Sequence, residues 1–130
     1  MKKLSISVFM LALAGCATTD IQPMSRDTFK VATNAAPACG PSGARNVAYK
    51  AAAIEVIRRG GDKFIIAGDH SDMGVQGDVF TGFQTNFAQG MVVRLIPENS
   101  PEAPNALSAR ETLGADWQTV YAEGVPNTCS

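Results

Sequence analysis

Asp69-His70-Ser71-Asp72, with Asp78 six residues on, is the one stretch of this chain where side chains able to hold a cation or move a proton crowd together. Two carboxylates and an imidazole form a donor set for a divalent ion, with Asp69, His70 and Asp72 as its ligands. Their spacing is neither that of a twelve-residue calcium loop nor that of a zinc motif with paired histidines or cysteines. Asp, Ser and Gly also make up solvated turns, and a loop over 69–78 is the expectation. His70 is the only histidine, so a hydrolytic triad would have to use it, and neighbours in sequence such as Ser71 seldom face each other productively. Gly74, Gly77 and Gly82 lack the order of a phosphate loop or a dinucleotide fingerprint. No catalytic constellation emerges, and no cofactor is implied.

The remaining reactive groups are the thiols of Cys16, Cys39 and Cys129. Lys2 and Lys3 precede a mostly apolar run over 4–14, broken only by Ser5 and Ser7. That run is long enough for a signal peptide and too short for a lasting transmembrane helix. Leu13-Ala14-Gly15-Cys16 follows and resembles the lipobox of bacterial lipoproteins, in which the cysteine thiol is acylated and cleavage leaves that cysteine first. The resemblance implies a signal peptide over 1–15, a lipidated Cys16 as membrane anchor and a bacterial envelope location. Ala17 stands where an aspartate resembles an inner-membrane retention signal, so the outer membrane facing the periplasm is expected. With Cys16 committed to lipid, Cys39 and Cys129 remain, and in an oxidising periplasm they most simply pair with each other. Closing so long a loop contributes about 2–4 kcal/mol. A redox thiol is the rival reading, but the chain has no Cys-x-x-Cys motif.

Composition narrows the partners. The chain has 130 residues, and its net charge is −1. Without Lys2 and Lys3, nine basic side chains face twelve acidic ones, a formal charge of −3. No basic cluster is present, which argues against nucleic acid or an anionic lipid surface as partner. The remaining length suits one modest domain with a real core.

The elements that must position these groups follow from periodicity. Residues 16–27 read as lipid anchor and tether, and 28–130 as a single periplasmic domain. Phe29, Val31 and Thr33 alternate against Lys30, Ala32 and Asn34, the pattern of a half-buried strand. A loop over 35–43 carries Cys39. Residues 44–59 form the clearest helix, ended by Gly60-Gly61. Tyr49, Ala53, Val56 and Ile57 share its expected core face, and Ala48, Ala52, Glu55 and Arg59 the opposite one. Residues 64–67 form a short interior strand, so strand, helix and strand suggest a βαβ-like start. Two further strands over 79–87 and 91–96 are expected to turn at Gln89-Gly90. Phe80, Phe83 and Phe87 could line a lipid or peptidoglycan-fragment pocket, but core burial is the expectation. Ser108 and Glu111 have capping-box spacing, opening a helix over 108–122 that Gly114 weakens or splits. The fold class is α+β, a three- to four-stranded sheet packed by two helices in the order β-α-β-β-β-α.

Arg58-Arg59-Gly60-Gly61-Asp62-Lys63-Phe64-Ile65-Ile66, together with the lipobox and the Ala-rich helix, resembles a group of small bacterial lipoproteins. Their helix runs through an Arg-Gly-x-Asp-x-Phe-x-Ile-like junction into a strand, and most have no assigned activity. A looser similarity is to the Rcs stress-sensor outer-membrane lipoprotein, a disulfide-stapled α/β domain. These resemblances imply architecture and compartment and no functional residues. The expected function is a non-enzymatic, lipid-anchored envelope protein acting through contact with another envelope protein. A periplasmic small-molecule or metal binding module centred on 69–78 is the alternative.

Overall fold

The structure, a computed structural model, describes residues 16–80 and 82–129, and the backbone alone over 72–78 and 82–86. The expected signal peptide over 1–15 and the side chains of Asp72 and Phe83 lie outside the described residues. The chain is α+β, as its periodicity indicates, but its sheet has five strands rather than three or four. In chain order these are β1 (Ala17–Pro23), β2 (Thr28–Ala35), α1 (Gly40–Arg58), β3 (Lys63–Asp78), β4 (Gly82–Leu95), β5 (Leu107–Ser108), α2 (Ala109–Leu113) and α3 (Trp117–Glu123). The spatial order is β1-β2-β4-β3-β5, and every pairing is antiparallel. Because β2 and β3 both run opposite to β4, they are parallel to each other, and the strand-helix-strand start is a split βαβ unit with β4 in its gap.

Three expected segments come out differently. Most of the expected tether over 16–27 is strand β1, paired along its whole length with β2 from Ala17↔Ala35 to Pro23↔Phe29. Small and polar residues obscure it as a strand, but main-chain pairing does not require large side chains. Only Met24 to Asp27 turns the chain, with the Met24 and Ser25 amides donating to the Thr28 carbonyl. The expected loop over 69–78 is the second half of β3, in unbroken register with β4 from Gly68↔Val92 to Asp78↔Gly82. The expected turn at Gln89-Gly90 is the middle of β4, and the chain reverses instead at Val79 and Phe80.

β2 alternates as its sequence indicates, with Phe29, Val31, Thr33 and Ala35 buried against α1. α1 begins at Gly40, four residues earlier than its apolar pattern. Ala48 and Ala52, expected on its outer face, are fully buried, and Glu55 is 7% exposed. The helix lies between the sheet and α2, so apolar alanines cover two sides and no single face stands out in the sequence. The last helix is divided at Gly114, whose φ of 98° is open to glycine and costly for other residues. No helix among the described residues is long and apolar enough to cross a membrane.

Two apolar clusters fill the space under α1. The larger holds Phe29, Val31, Phe64, Met91 and Val93 against Ala48, Ala51, Ala52 and Val56. The smaller holds Ala17, Ala35, Ala44 and Val47, with Cys39, Phe87 and Cys129 at its margin. The Cys39–Cys129 disulfide is formed, closing a separation of 90 residues. Gly43 makes room for it: a Cβ there would stand 3.0 Å from that of Cys39 and 3.2 Å from that of Cys129.

Candidate functional site

Between the two clusters runs a row of polar side chains. The sheet register aligns Thr19↔Thr33, Thr33↔Gln89 and Gln89↔Ser71 across four strands, all on the helix side. Thr33 and Gln89 are 1% and 2% exposed, so their polar atoms need partners within the protein. The Thr19 and Thr33 hydroxyls lie 3.2 Å apart. Gln89 accepts from the Ser71 hydroxyl and donates through Nε2 to Asp69 Oδ1. The other Asp69 oxygen pairs with Arg45 Nη2 from α1. Arg45 also reaches Tyr49, donating to its hydroxyl at 3.4 Å and lying 5.5 Å from the ring centroid. These two contacts raise the Arg45 pKa further, the Tyr49 hydrogen bond first and the charge of Asp69 next. The row is buried at its centre and opens to solvent at β3, where Ser71 is exposed.

A bulge sets which β3 residues join this row. The register with β4 shifts between Ile66 and Gly68, leaving Ala67 as the extra residue. Before it, Phe64 and Ile66 face α1; after it, Asp69 and Ser71 do, because one inserted residue reverses the alternation. Were Ala67 paired with Val92 instead of bulged, Gly68 would take the place of Asp69 opposite Met91 and His70 that of Ser71 opposite Gln89.

The suspected ligand set is therefore divided. Asp69 turns towards α1 while His70, its neighbour on a strand, belongs to the opposite face. Asp72 lies three residues from Asp69 with its side chain outside the described residues. Among the described residues no three His, Cys, Asp or Glu side chains are placed to hold a metal ion together. Ser71 is bonded to an amide rather than to a base, so the arrangement does not raise its nucleophilicity. Around the outer face of β3 and β4, a recess of about 390 Å³ is lined by Lys30, Gly68, Asp69, His70, Gly90, Met91 and Val92. Gly90 shapes it, since a Cβ there would sit 3.8 Å from Lys30 Cε.

In the junction from Arg58 to Ile66, Arg58, Arg59, Asp62 and Phe64 make structural contacts. Arg59 donates through Nε to Glu55 Oε1 at 2.9 Å, lies 4.7 Å from the Phe29 ring centroid and donates through Nη1 to the Ser25 and Arg26 carbonyls. It thus pins the β1–β2 turn to the end of α1. Arg58 donates to both Glu55 oxygens, and these bonds, with that of Arg59, hold the Glu55 carboxyl below the usual glutamate range against the opposing effect of burial. Asp62 accepts from the Ser108 hydroxyl at 2.9 and 3.0 Å and from the Arg110 amide at 3.0 Å, fixing the start of α2. Ser108 in turn accepts from the Glu111 amide, as the capping-box spacing indicates. Phe64 is fully buried.

Cys16 is exposed and free of disulfide. It lies at one end of β1, bridged to Thr128, with its carbonyl accepting from the Ala36 amide and the Ala17 amide donating to the Asn127 carbonyl. Sequence reasoning missed Arg45, Gln89, Thr33 and Thr19. The available signal is that Thr33 and Gln89 fall in phase with the apolar positions Phe29, Val31, Met91 and Val93. No family model, curated protein or solved structure matches the chain.

Proposed function

We propose that this chain is a lipid-anchored lipoprotein of the bacterial envelope that works by protein contact rather than by catalysis. The lipobox-like Leu13-Ala14-Gly15-Cys16 supplies the anchor, and an exposed Cys16 thiol at the rim of the domain is compatible with acylation. One observation carries the contact reading. β5 covers β3 only at Lys63 and Phe64, and from Ile65 onward no strand among the described residues lies on that side. An open edge of this length offers main-chain donors and acceptors to a strand of another protein. Arg45, Asp69, Ser71 and His70 stand beside it and supply charge and hydrogen bonding for selectivity. The polar side chains of the interior support a non-enzymatic role, because Thr19, Thr33, Gln89, Ser71, Asp69 and Arg45 are engaged in bonds to each other.

The test is photo-crosslinking in cells, with the reactive amino acid at Ala67 or His70 on the β3 edge, or at exposed Lys50 on α1. The expected result is one reproducible envelope protein trapped from positions 67 and 70 and absent from position 50. Adducts confined to position 50, or none from the edge, would sink the contact reading. The Cys16→Ala variant is expected to leave the membrane fraction; persistence there would end the anchor reading.

The outer-face recess favours a second reading, a module for a small anion held between Lys30 and His70. Melting of the soluble domain with inorganic phosphate tests it: a rise with ligand, abolished by Lys30→Ala, supports it, and no rise removes it. The same scan with zinc chloride tests the metal form, which predicts a rise lost in Asp69→Asn and His70→Ala.

A further inference from the structure

The end of the sheet that carries Cys16 also carries the most exposed apolar side chains of the described residues. The last row common to four strands is Ala17, Ala35, Phe87 and Met73. Cys16 lies one residue beyond it on β1. β3 and β4 continue past it in the same direction through Gly74↔Asn86 to Asp78↔Gly82, and only then turn. At about 3.3 Å per residue, those five pairs project the turn roughly 17 Å beyond the row. At the turn, Val79 is 81% exposed and Phe80 93% exposed.

Resting on the proposed acylation of Cys16, we infer that the β3–β4 hairpin tip is a second membrane contact, with Val79 and Phe80 entering the lipid interface beside the anchor. The argument is one of reach. Because residues 17–23 form a paired strand, no slack separates Cys16 from the domain. Acyl chains on its thiol can enter a bilayer only if this end of the sheet lies against the headgroups. A hairpin that projects farther than the acylated residue must then dip into the interface or lie along it, and either pose brings its tip to lipid. The composition of the hairpin suits this. Residues 74–86 carry one charged side chain, Asp78, and no lysine or arginine. The contact is therefore apolar, insensitive to salt and indifferent to anionic lipid. Two independent attachments, anchor and tip, would hold the domain in one orientation and present the open β3 edge side-on to the membrane.

The test uses the purified full-length protein reconstituted into phosphatidylethanolamine–phosphatidylglycerol vesicles, after intact mass has established whether Cys16 is acylated. In a Trp117→Phe background, Phe80→Trp places an indole at the tip, and Leu107→Trp places one at the opposite end of the sheet. Brominated lipids are expected to quench tip fluorescence at least threefold and leave the distant indole within 20% of its value in unbrominated vesicles. Quenching is expected to be the same at low and high salt. An acylated protein with an unquenched tip, or with both indoles equally quenched, would overturn the inference and leave the anchor intact. A protein without acyl mass would overturn the anchor reading and this inference together. Phe80→Asp, at a side chain 93% exposed, guards against misfolding of the reporter. In the acylated protein it is expected to raise protease cleavage of the hairpin on vesicles by about tenfold while the Tm in detergent is unchanged. Equal cleavage of the two proteins would count against the contact.

Discussion

The two apolar clusters beneath α1 are unlike in substance. The larger sets two phenylalanines, three valines and a methionine against five alanines, all fully or almost fully buried, and it has no covalent support. The smaller buries three alanines and one valine, and the disulfide lies at its margin. Apolar burial contributes in proportion to area, so the second cluster holds its part of the sheet weakly. The cross-link sits where side-chain area is scarcest. The polar row of Thr33 and Gln89 keeps the clusters apart, giving one helix two regions of contact with different origins of stability.

This contrast can be broken from either side. Phe64→Ala removes a fully buried ring from the larger cluster and is expected to cost about 3–5 kcal/mol in urea unfolding. A loss below 1 kcal/mol would mean that the cluster is not the main source of stability. Cys39→Ser with Cys129→Ser is expected to cost about 2–4 kcal/mol, the same as reduction of the native protein. Hydrogen exchange should then rise at Ala17, Ala35 and Val47 before it rises at Phe29 and Val93. Uniform acceleration across both groups would show that the clusters do not differ in the way described. Gln89→Leu joins the clusters into one apolar strip but takes a donor from Asp69 and an acceptor from Ser71. The expected cost is about 1–3 kcal/mol despite the gain in apolar surface; a more stable variant would show that the polar row is not needed for folding.

The larger cluster was the more legible in the sequence. Phe29, Val31 and Thr33 announce their face by alternation, and Ser108 with Glu111 announces the cap of α2. The Cys39–Cys129 pair follows from cysteine count and the compartment that the lipobox resemblance implies. What stayed hidden depends on long-range pairing. Ala17 to Pro23 offers little apolar surface, so nothing local distinguishes an edge strand from a tether; only the register with β2 makes it one. Residues 69–78 are rich in Asp and Gly, and a strand survives there because β4 supplies a partner throughout. The role of Asp69 could not be read at all, because it depends on Ala67 being bulged out, and a bulge leaves no distinct mark in composition. Gln89-Gly90 reads as a turn locally, whereas burial of Gln89 between Ser71 and Asp69 keeps the strand straight.

The same contrast extends to conditions, since the two ends of α1 are closed by different chemistry. Near Cys39 the closure is redox-sensitive; near Glu55 it is ionic, with Arg58 and Arg59 sharing one carboxylate and Arg59 holding the β1–β2 turn. Those arginines lower the Glu55 pKa in the folded state relative to the unfolded chain. A lowered carboxylate pKa adds stability that is complete above the unfolded value, near 4.3, and is lost as pH falls through the folded value. Acidification below about pH 4 should therefore loosen the Glu55 end, whereas reductant should loosen the other. Glu55→Gln keeps the shape of the side chain and removes its charge, and is expected to cost about 1 kcal/mol at pH 7 and less at pH 3. Glu55 and Cys39 are 16 residues apart, about 24 Å if the rise is helical throughout. At that separation the losses from Glu55→Gln and from reduction should add within about 0.5 kcal/mol. A coupling of 1 kcal/mol or more in this double cycle would mean that the polar row does not insulate the clusters, and that α1 transmits the state of one end to the other.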